Sequence, residues 1–576
     1  MNHTEKIQLL AQAAHWAAQD PDPATAEELQ LLISRVESGD AIAMDDLAER
    51  FAGVLEFGTA GLRAELGAGP MRMNRVVVMR TAAGIARFLS ERAAGAYTPK
   101  VVIGFDARYN SDVFATDSAA VFTAAGFEVL LMPSALPTPV LAWAVRTYSA
   151  EAGVMVTASH NPPRDNGYKV YVGGKVADEV GRGAQIVSPI DEQIANLIDP
   201  NQPVAQIKRL DSGWTVLPGA GEDGNIEAAY LDSIGKVILA PDAALATHRK
   251  QLKVVVTALH GVGGHTMRQA LLNAGFTDVH MVPEQEHPDP DFPTVKFPNP
   301  EEPGAIDLSL DLARKVGADL VIANDPDADR CAGAIHDGTA WRMLRGDEVG
   351  WLLGDQLSRT LPAEQKLANS IVSSRMLAAI AKDSGREHEE TLTGFKWISR
   401  VENLGFGYEE ALGYCVAPGL VRDKDGMSAA LVLADLAAEL KASGNSIQGR
   451  LDELAAKHGV HVTDQLSMRF TDLSQIPVLM DKIRTNAPAE LAGAAVTEIT
   501  DLSQGTEKLP ATNAMVLHTF TGARVIVRPS GTEPKLKCYL ETVEHAEDLA
   551  DVPAARERAT AQCLAIKREL EAFLNE

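Results

Sequence analysis

The sequence predicts an α/β fold divided into several domains. A chain of 576 residues exceeds the roughly 250–300 residues that one hydrophobic core supports, so more than one domain is expected. Apolar, β-branched runs such as Val101–Gly104 and Lys253–Thr257 recur, and helical patterns such as Ser111–Ala125 follow them. This alternation of strands and helices predicts layered α/β domains with loops collected at strand ends.

Further elements follow the same alternation along the chain. Apolar runs predict four more strands, at Phe127–Met132, Gly153–Thr157, Asp319–Ala323 and Val525–Val527. A longer apolar run predicts a core helix at Ala429–Lys441. The Pro- and Asp-rich segment Pro283–Pro303 predicts a long ordered loop, with a mobile linker as the alternative. Two domain joints and a charged, amphipathic C-terminal helix are predicted at Leu210–Asn225, Lys457–Asp464 and Glu544–Glu576.

Composition excludes several functional classes. The chain carries 53 basic and 78 acidic residues, for a net charge of −25, which argues against a nucleic-acid or anionic-membrane partner. Its four cysteines are far apart, which indicates a reducing compartment and no structural zinc site. No run approaches the ~20 apolar residues of a transmembrane helix, and no signal peptide is visible at the N-terminus. We therefore expect a soluble, cytoplasmic protein.

Two short runs predict phosphoryl transfer through a phosphoserine. Ser159 lies in Thr157–Pro162, and a serine hydroxyl beside a divalent cation can accept and release a phosphoryl group. Asp325, Asp327 and Asp329 follow an apolar strand and offer the hard oxygen ligands that Mg²⁺ prefers. The alternatives are a helix N-cap at Ser159 and a solvated acidic turn at the aspartates. The G-x-S-x-G pattern is absent, which argues against a serine hydrolase.

Basic side chains near these runs are candidates for handling charge and protons. Arg63 ends the small-residue run Phe57–Arg63 and can reach a phosphate, although the run also fits a simple turn. His160 is a candidate general acid or base, and Lys169 can stabilise a transferring phosphoryl group or transfer a proton.

Two further runs predict recognition of a sugar phosphate. Glu409 and Glu410 lie in Gly407–Gly413, and carboxylates accept hydrogen bonds from vicinal hydroxyls, although the run also fits a solvated helix start. Arg528–Lys537 combines hydroxyls, a glycine and cations into a predicted anion-binding loop, with a basic turn between strands as the alternative.

Together, these runs resemble the four signature loops of the α-D-phosphohexomutase superfamily, in the same order along the chain. We name them the serine loop, the aspartate loop, the sugar loop and the phosphate loop, at Thr157–Pro162, Asp325–Arg330, Gly407–Gly413 and Arg528–Lys537. Thr391–Ile398 and the sugar loop most resemble the branch that contains phosphoglucomutase-2, phosphopentomutase and some bacterial phosphoglucomutase/phosphomannomutases.

The resemblance implies four domains around a central cleft. Three would be related α/β domains with mixed sheets, and the last would be a smaller α+β domain. We expect the boundaries at residues 1–208, 209–325, 326–456 and 457–576.

The resemblance also implies a mechanism and a set of site residues. A phosphoryl group on Ser159 would pass to a sugar monophosphate and return from a glucose 1,6-bisphosphate intermediate, which also acts as activator. The implied Mg²⁺ ligands are Ser159, Asp325, Asp327 and Asp329. The implied catalytic residues are Ser159, His160, Arg63, Lys169 and Lys396. The implied substrate-binding residues are Glu409, Glu410, Arg330, Arg528, Ser530, Gly531, Thr532, Lys535 and Lys537.

The expected function is therefore an Mg²⁺-dependent phosphoglucomutase acting on a small sugar phosphate, as a monomer or homodimer. One departure from many hexose-specific relatives is Ala411, where they carry a serine. Loss of that hydroxyl removes a hydrogen bond worth about 0.5–1.5 kcal/mol, which keeps phosphomannomutase and phosphopentomutase activities open. A sugar-bisphosphate synthase and a non-catalytic sugar-phosphate-binding protein are the alternatives from other classes.

Overall fold

A computed structural model describes residues 2–56, 61–238, 243–470, 472–530 and 535–576. The chain divides into two compact units. The first contains Met1–Gly333 and Ala417–Leu431, and the second contains Ala334–Val416 and Val432–Glu576. Each unit is therefore built from two separate stretches of the chain.

The first unit begins with three helices, α1 (His3–Gln19), α2 (Pro23–Glu37) and α3 (Ala41–Arg50). Each begins after a residue whose side chain accepts a hydrogen bond from a backbone N–H of the first turn, namely Asn2, Asp22 and Asp40. The apolar faces of the three helices join the same hydrophobic core as the sheet that follows.

That sheet has seven strands and mixed pairing. The strands are β1 (Leu62–Glu65), β2 (Lys100–Phe105), β3 (Glu128–Leu131), β4 (Ala152–Val156), β5 (Asp165–Val172), β6 (Ala184–Gln185) and β7 (Thr215–Val216). Their order is β1-β5-β4-β2-β3-β7, with β6 beside β5. The strands β4, β2, β3 and β7 run parallel, whereas β5 is antiparallel to each of its neighbours. The helices of this region are α4 (Arg75–Ala93), α5 (Ser111–Ala124), α6 (Thr138–Thr147), α7 (Ile190–Leu197) and α8 (Ile226–Ile234).

A second, smaller sheet of the first unit is built on three parallel strands. These are β8 (Lys253–Thr257), β9 (Asp278–Met281) and β10 (Leu320–Ala323), with β8 between the other two. The helices α9 (Ala243–Gln251), α10 (Gly263–Asn273) and α11 (Asp307–Val316) belong to this region. The strand β11 (Ala332–His336) runs across the boundary between the units and pairs antiparallel with β12 (Trp341–Met343).

The second unit contains a four-stranded mixed sheet and a six-stranded antiparallel sheet. The first has the order β14-β13-β15-β16, from β13 (Lys366–Ser370), β14 (His388–Thr391), β15 (Leu404–Glu409) and β16 (Gly413–Cys415). Its region contains the helices α12 (Gly346–Ser358), α13 (Met376–Asp383), α14 (Phe395–Ile398), α15 (Gly426–Ala442) and α16 (Ile447–His458), of which α15 begins in the first unit.

The antiparallel sheet has the order β17-β22-β21-β20-β19-β18. Its strands are β17 (Val460–Arg469), β18 (Glu490–Leu491), β19 (Ala494–Asp501), β20 (Met515–Thr519), β21 (Arg524–Pro529) and β22 (Lys535–Glu544). The helices α17 (Gln475–Asn486) and α18 (Val552–Asn575) contribute apolar side chains to its core.

The predicted fold class is confirmed, since three sheets with parallel or mixed strands precede one antiparallel sheet with its helices. Within the joint predicted at Lys457–Asp464, α16 ends at His458 and β17 begins at Val460. The joint predicted at Leu210–Asn225 contains the short strand β7. The loop predicted at Pro283–Pro303 holds no helix or strand, and it buries Phe292 to 2% exposure, as an ordered loop does.

No helix in the part of the chain that the structure describes is both long enough and apolar enough to span a bilayer.

A buried ion cluster joins the two sheets of the second unit. Glu541 on β22 accepts hydrogen bonds from Ser374 Oγ at 2.7 Å and Arg375 Nε at 2.6 Å, and it lies 2.8 Å from His461 Nδ1. Arg524 Nη2 lies 3.2 Å from Glu541 Oε2, the oxygen that Arg375 also contacts. Burial alone raises the pKa of Glu541, but Arg524, His461 and Arg375 outweigh that effect and lower the pKa below its usual value.

Glu541→Gln is expected to destabilise the protein by about 3 kcal/mol, because it leaves buried cations without their charge partner. A depressed carboxyl pKa contributes stability that is fully present above the unfolded pKa and lost as the pH falls towards the folded pKa. Urea unfolding of wild type and variant at neutral and at acidic pH measures both effects. The exposed Glu547→Gln is the control. Equal stabilities of wild type and Glu541→Gln at neutral pH would contradict the assignment.

Candidate active site

The serine loop connects two antiparallel strands of the first sheet, β4 and β5. Ser159 has a left-handed backbone (φ 51°), and its N–H donates to Thr157 Oγ1 at 2.9 Å. Thr157 Oγ1 in turn donates to the buried Asp106 Oδ2 at 2.6 Å. The helix-cap alternative for Ser159 is wrong, because no helix begins in this loop. A serine held in a strained conformation by buried hydrogen bonds is typical of a functional position.

Arg108 anchors the backbone of the serine loop. This buried guanidinium donates to four backbone carbonyls, those of Ser159 (2.7 Å), Asn161 (2.6 Å), Pro162 (2.7 Å) and Asp165 (3.0 Å). The ring of Phe292 lies 5.0 Å from the guanidinium carbon of Arg108, within the range of a cation–π contact. Sequence reasoning missed Arg108.

Arg108→Lys is expected to lower kcat about a hundredfold with little change in the KM for substrate, because one ammonium cannot reach four carbonyls and Ser159 is displaced. Steady-state kinetics measure this, with the exposed Arg92→Lys as control. An unchanged kcat in a folded Arg108→Lys protein would show that the loop does not depend on this side chain.

The three aspartates follow β10 and are fully buried, with Asp325, Asp327 and Asp329 each at 0% exposure. One carboxylate oxygen from each lies within 4.8 Å of the others. Ser159 Oγ donates to Asp325 Oδ2 at 2.6 Å, so the serine and aspartate loops meet. Burial rules out the solvated acidic turn that was the alternative for this run.

Two buried lysines balance part of this negative charge. Lys169 Nζ on β5 donates to Asp327 Oδ2 at 2.7 Å and to Asp329 Oδ2 at 2.9 Å. Lys424 Nζ donates to the same oxygen of Asp329 at 2.8 Å. Sequence reasoning missed Lys424, although its position within Asp423–Gly426, directly before the long apolar pattern of α15, was a usable signal.

The buried charges shift one another's protonation. Burial and the neighbouring carboxylates raise the pKa of Asp325. Burial raises the pKa of Asp329 too, but Lys169 and Lys424 outweigh it and hold that pKa below its usual value. Burial, together with the charges of Arg330 and Arg63, lowers the pKa of His160 well below its usual value. The His160 imidazole is therefore neutral at neutral pH.

The donor set fits a divalent cation. Asp327 Oδ1 and Asp329 Oδ1 are buried and have no hydrogen-bond partner within the described ranges. A buried carboxylate oxygen without a partner is costly unless a cation or a hydrogen-bond donor approaches it. Carboxylate and hydroxyl oxygens are hard ligands suited to Mg²⁺.

The other predicted residues of the first unit surround this centre. His160 Nδ1 lies 3.1 Å from Ser159 Oγ, and Arg63 Nη1 donates to Asn161 Oδ1 at 2.8 Å. Arg330 Nε lies 3.9 Å from oxygens of Asp325 and Asp329. Phe57–Ala60, which precede Arg63 in its predicted run, lie outside the described residues.

In the second unit, the sugar loop forms a hairpin between β15 and β16, so the helix-start alternative is wrong. Glu409 is buried at the end of β15. Glu410 Oε2 accepts hydrogen bonds from Ser373 Oγ at 2.9 Å and Ser370 Oγ at 3.2 Å. Two serine hydroxyls therefore lie beside this loop, which itself carries Ala411.

The phosphate loop connects β21 and β22. Arg528 pairs with Lys537 across these strands, and Lys535 lies two residues before Lys537, so all three cations belong to one face of the sheet. Ser530 N donates to Lys535 O at 2.8 Å. Gly531 and Thr532 lie outside the described residues. Lys396 is in the short helix α14, with Nζ 6.0 Å from the ring of Trp397.

Comparison with known proteins places the chain in a family. Models of the four domains of the phosphoglucomutase/phosphomannomutase family match in order: the alpha/beta/alpha domains I, II and III at residues 54–202, 228–338 and 345–458, and the C-terminal domain at residues 478–559. The chain belongs to the α-D-phosphohexomutase superfamily. The predicted membership is thus confirmed, and so is the prediction of three α/β domains followed by a smaller C-terminal one.

Individual relatives cover most of the chain. The protein named probable phosphomannomutase from Haemophilus influenzae is 44% identical over 82% of this chain and 93% of its own length. A phosphopentomutase from Mus musculus is 36% identical over 92% of this chain and 89% of its own length. The solved structure of pp63/parafusin, a phosphoglucomutase from Paramecium, covers 90% of this chain and 96% of its own with a TM-score of 0.67 and 18% identity. That likeness supports the fold alone.

Proposed function

We propose that the protein is an Mg²⁺-dependent phosphosugar mutase that moves a phosphoryl group between C1 and C6 of glucose phosphate through a phosphoserine at Ser159. One observation carries this proposal, namely the hydrogen bond of 2.6 Å from Ser159 Oγ to Asp325 within a buried cluster of three aspartates. The phosphohexomutase-family relationship supports the reaction class. Bound Mg²⁺, held by Ser159, Asp325, Asp327 and Asp329, would offset negative charge on the transferring group.

Side chains of the first unit would carry out the phosphoryl transfer, accept the proton and stabilise charge. In the first half-reaction the free hydroxyl of the sugar monophosphate attacks phosphorus, and the bond between phosphorus and Ser159 Oγ breaks. The neutral imidazole of His160 is the proton acceptor for the attacking hydroxyl. Lys169, Arg63 and Arg330 place positive charge where the phosphoryl group passes.

The second half-reaction regenerates the phosphoserine. The intermediate is glucose 1,6-bisphosphate, which turns around so that its other phosphoryl group meets Ser159. Ser159 Oγ attacks that phosphorus, the bond to the sugar oxygen breaks, and the sugar oxygen recovers a proton. His160 returns the proton that it accepted in the first step, so the protein ends in its starting state.

Residues of the second unit are proposed to recognise the substrate. Glu409 and Glu410 would accept hydrogen bonds from sugar hydroxyls, and Lys396 would stabilise charge. The phosphate that is not reacting would bind to Arg528, Ser530, Gly531, Thr532, Lys535 and Lys537.

Lys535→Ala and Lys537→Ala are each expected to raise KM for the sugar phosphate about tenfold with a smaller effect on kcat, because each removes a charge-assisted contact to the distal phosphate. Steady-state kinetics test this, with the exposed Lys508→Ala as control. An unaltered KM in both variants would show that the last domain does not contribute to substrate binding.

A second candidate is a phosphomannomutase or phosphopentomutase. Ala411 favours it, since the sugar loop lacks the hydroxyl found in many hexose-specific relatives. The relatives with those two names are 44% and 36% identical to this chain. Ser373 Oγ and Ser370 Oγ donate to Glu410, so two hydroxyls contact the sugar loop despite Ala411, which keeps glucose as our first choice.

Rates on glucose, mannose and ribose 1-phosphates, each with a catalytic amount of the matching sugar bisphosphate, decide between these substrates. The proposal predicts the highest kcat/KM with glucose 1-phosphate. A higher value with ribose or mannose 1-phosphate would select the second candidate. Stoichiometric consumption of a phosphoryl donor with accumulation of bisphosphate would instead identify a sugar-bisphosphate synthase.

A further inference from the structure

A turn at the end of β8, in the second sheet of the first unit, resembles the start of the serine loop. The run Thr257-Ala258-Leu259-His260 begins at the last residue of β8, and Thr157-Ala158-Ser159-His160 begins directly after β4. The third residue of each run is left-handed, with φ 51° at Ser159 and 47° at Leu259. Its N–H donates to the hydroxyl of the preceding threonine in both runs, at 2.9 and 3.1 Å. The two runs therefore share these features up to their third residue, whereas of the two histidines only His260 is left-handed (φ 60°).

The second run shares the left-handed third residue of the serine loop but has no nucleophilic side chain at that position. Leu259 is fully buried and has no oxygen that could carry a phosphoryl group. Leu259 and His260 are consecutive non-glycine residues in the left-handed region, with φ 47° and 60°. Such a conformation persists only where the surroundings fix it, and it is concentrated at functional positions.

A hydrogen-bond network fixes this turn. Thr257 Oγ1 donates to Gln285 Oε1 at 2.6 Å, and Gln285 Nε2 donates to Thr294 Oγ1 at 2.8 Å. His260 Nε2 lies 2.7 Å from the same hydroxyl of Thr294. Three side chains from separate parts of this region therefore converge to hold two strained residues.

The turn contacts Pro326 and Ala328, which lie between the three aspartates. Val262 N donates to Pro326 O at 2.8 Å. A Cβ atom at Gly261 would overlap the Cα and carbonyl oxygen of Pro326. A Cβ atom at Gly263 would lie 2.8 Å from the Cβ of Ala328, which is itself left-handed with φ 56°.

We propose that this buttress turn, Leu259–Gly263, is a positioning element for the aspartate loop and tunes its affinity for a divalent cation. The turn and the loop touch along their backbones, so a shift of the turn moves Pro326 and Ala328 and with them the carboxylates on either side. Gly261 is required because any side chain there displaces the loop. This proposal rests on the metal site of the proposed function.

Gly261→Ala tests the buttress, and Gly84→Ala on α4 is a matched control. A Cβ atom at Gly84 would lie 2.5 Å from Cγ1 of Ile198, so that variant crowds a buried glycine of the first unit without contacting the turn or the aspartates. Mn²⁺ binding is measured by isothermal titration calorimetry on the full chain without sugar, beside thermal unfolding. We expect Gly261→Ala to bind Mn²⁺ about tenfold more weakly, as loss of a supporting contact to a metal site does. Gly84→Ala should bind as wild type does.

Equal Mn²⁺ affinities in Gly261→Ala and wild type would overturn the proposal, as would an equal loss in Gly84→Ala or an absence of Mn²⁺ binding in wild type. Thr294→Val is a milder variant should Gly261→Ala not fold, because Thr294 is exposed and only its hydrogen bonds to His260 and Gln285 are lost. Its Mn²⁺ affinity is expected below that of wild type, and an unchanged affinity would overturn the proposal.

Turnover separates this proposal from the proposed function. A wild-type protein that binds Mn²⁺ but converts no sugar phosphate would contradict the proposed mutase function and leave the proposed role of the buttress turn standing. In an active enzyme, the Mg²⁺ concentration at half-maximal rate should rise in Gly261→Ala while KM for the sugar phosphate stays unchanged. A purely structural role would lower the Tm without this split.

Discussion

Ser159→Ala is expected to abolish turnover while the protein stays folded. The side chain is small, and its hydroxyl donates to Asp325 Oδ2, so alanine removes the atom that would carry the phosphoryl group and little else. The loop backbone remains held by Arg108, whose hydrogen bonds go to carbonyls rather than to the hydroxyl. Mutase assays with a bisphosphate primer measure the loss, and thermal unfolding checks the fold.

The exposed Ser90→Ala on α4 is the matched control and should be as active as wild type. Mn²⁺ binding by Ser159→Ala distinguishes loss of the carrier from loss of the metal site, since three of four proposed ligands remain. Substantial turnover in Ser159→Ala would remove the covalent mechanism.

Asp327→Asn is expected to raise the Mg²⁺ concentration needed for half-maximal rate about tenfold or more and to lower kcat. Asp327 Oδ2 accepts from Lys169 Nζ and Thr138 Oγ1, both at 2.7 Å. The amide oxygen of asparagine must take that position, so its NH₂ group replaces Oδ1, the buried oxygen that has no hydrogen-bond partner among the described residues. A hydrogen-bond donor then faces the cation.

Metal titration of activity and of Mn²⁺ binding measures this effect, with the exposed Asp311→Asn as control. Retention of the wild-type metal dependence in Asp327→Asn would count against the aspartate loop as the metal site.

The parts of the candidate site that lie in short runs could be predicted from the sequence. Ser159 and the three aspartates are each recognisable beside their neighbours, because a strand end followed by specific polar residues has few other uses. The sugar and phosphate loops were recognisable for the same reason, although the sequence left open whether Gly407–Gly413 begins a helix. Its pairing with β16, which made it a hairpin, depends on strand contacts that local composition does not reveal.

The residues that support these runs could not be predicted, because their partners are distant along the chain. Arg108 binds a carbonyl 51 residues away, and Lys424 reaches an aspartate 95 residues away. Neither belongs to a run with a distinctive composition, and an arginine after a strand is common on protein surfaces. The start of β17 within Lys457–Asp464 is hidden for a related reason, since that strand is defined by its long pairing with β22.

The most direct test of the covalent mechanism is peptide mapping by mass spectrometry after the protein is incubated with Mg²⁺ and glucose 1,6-bisphosphate. The account predicts one added phosphoryl group on the peptide that contains Ser159. It also predicts that this group is lost when excess glucose 6-phosphate is added and the bisphosphate that forms is removed. A fully active protein whose Ser159 peptide never carries a phosphoryl group would contradict it.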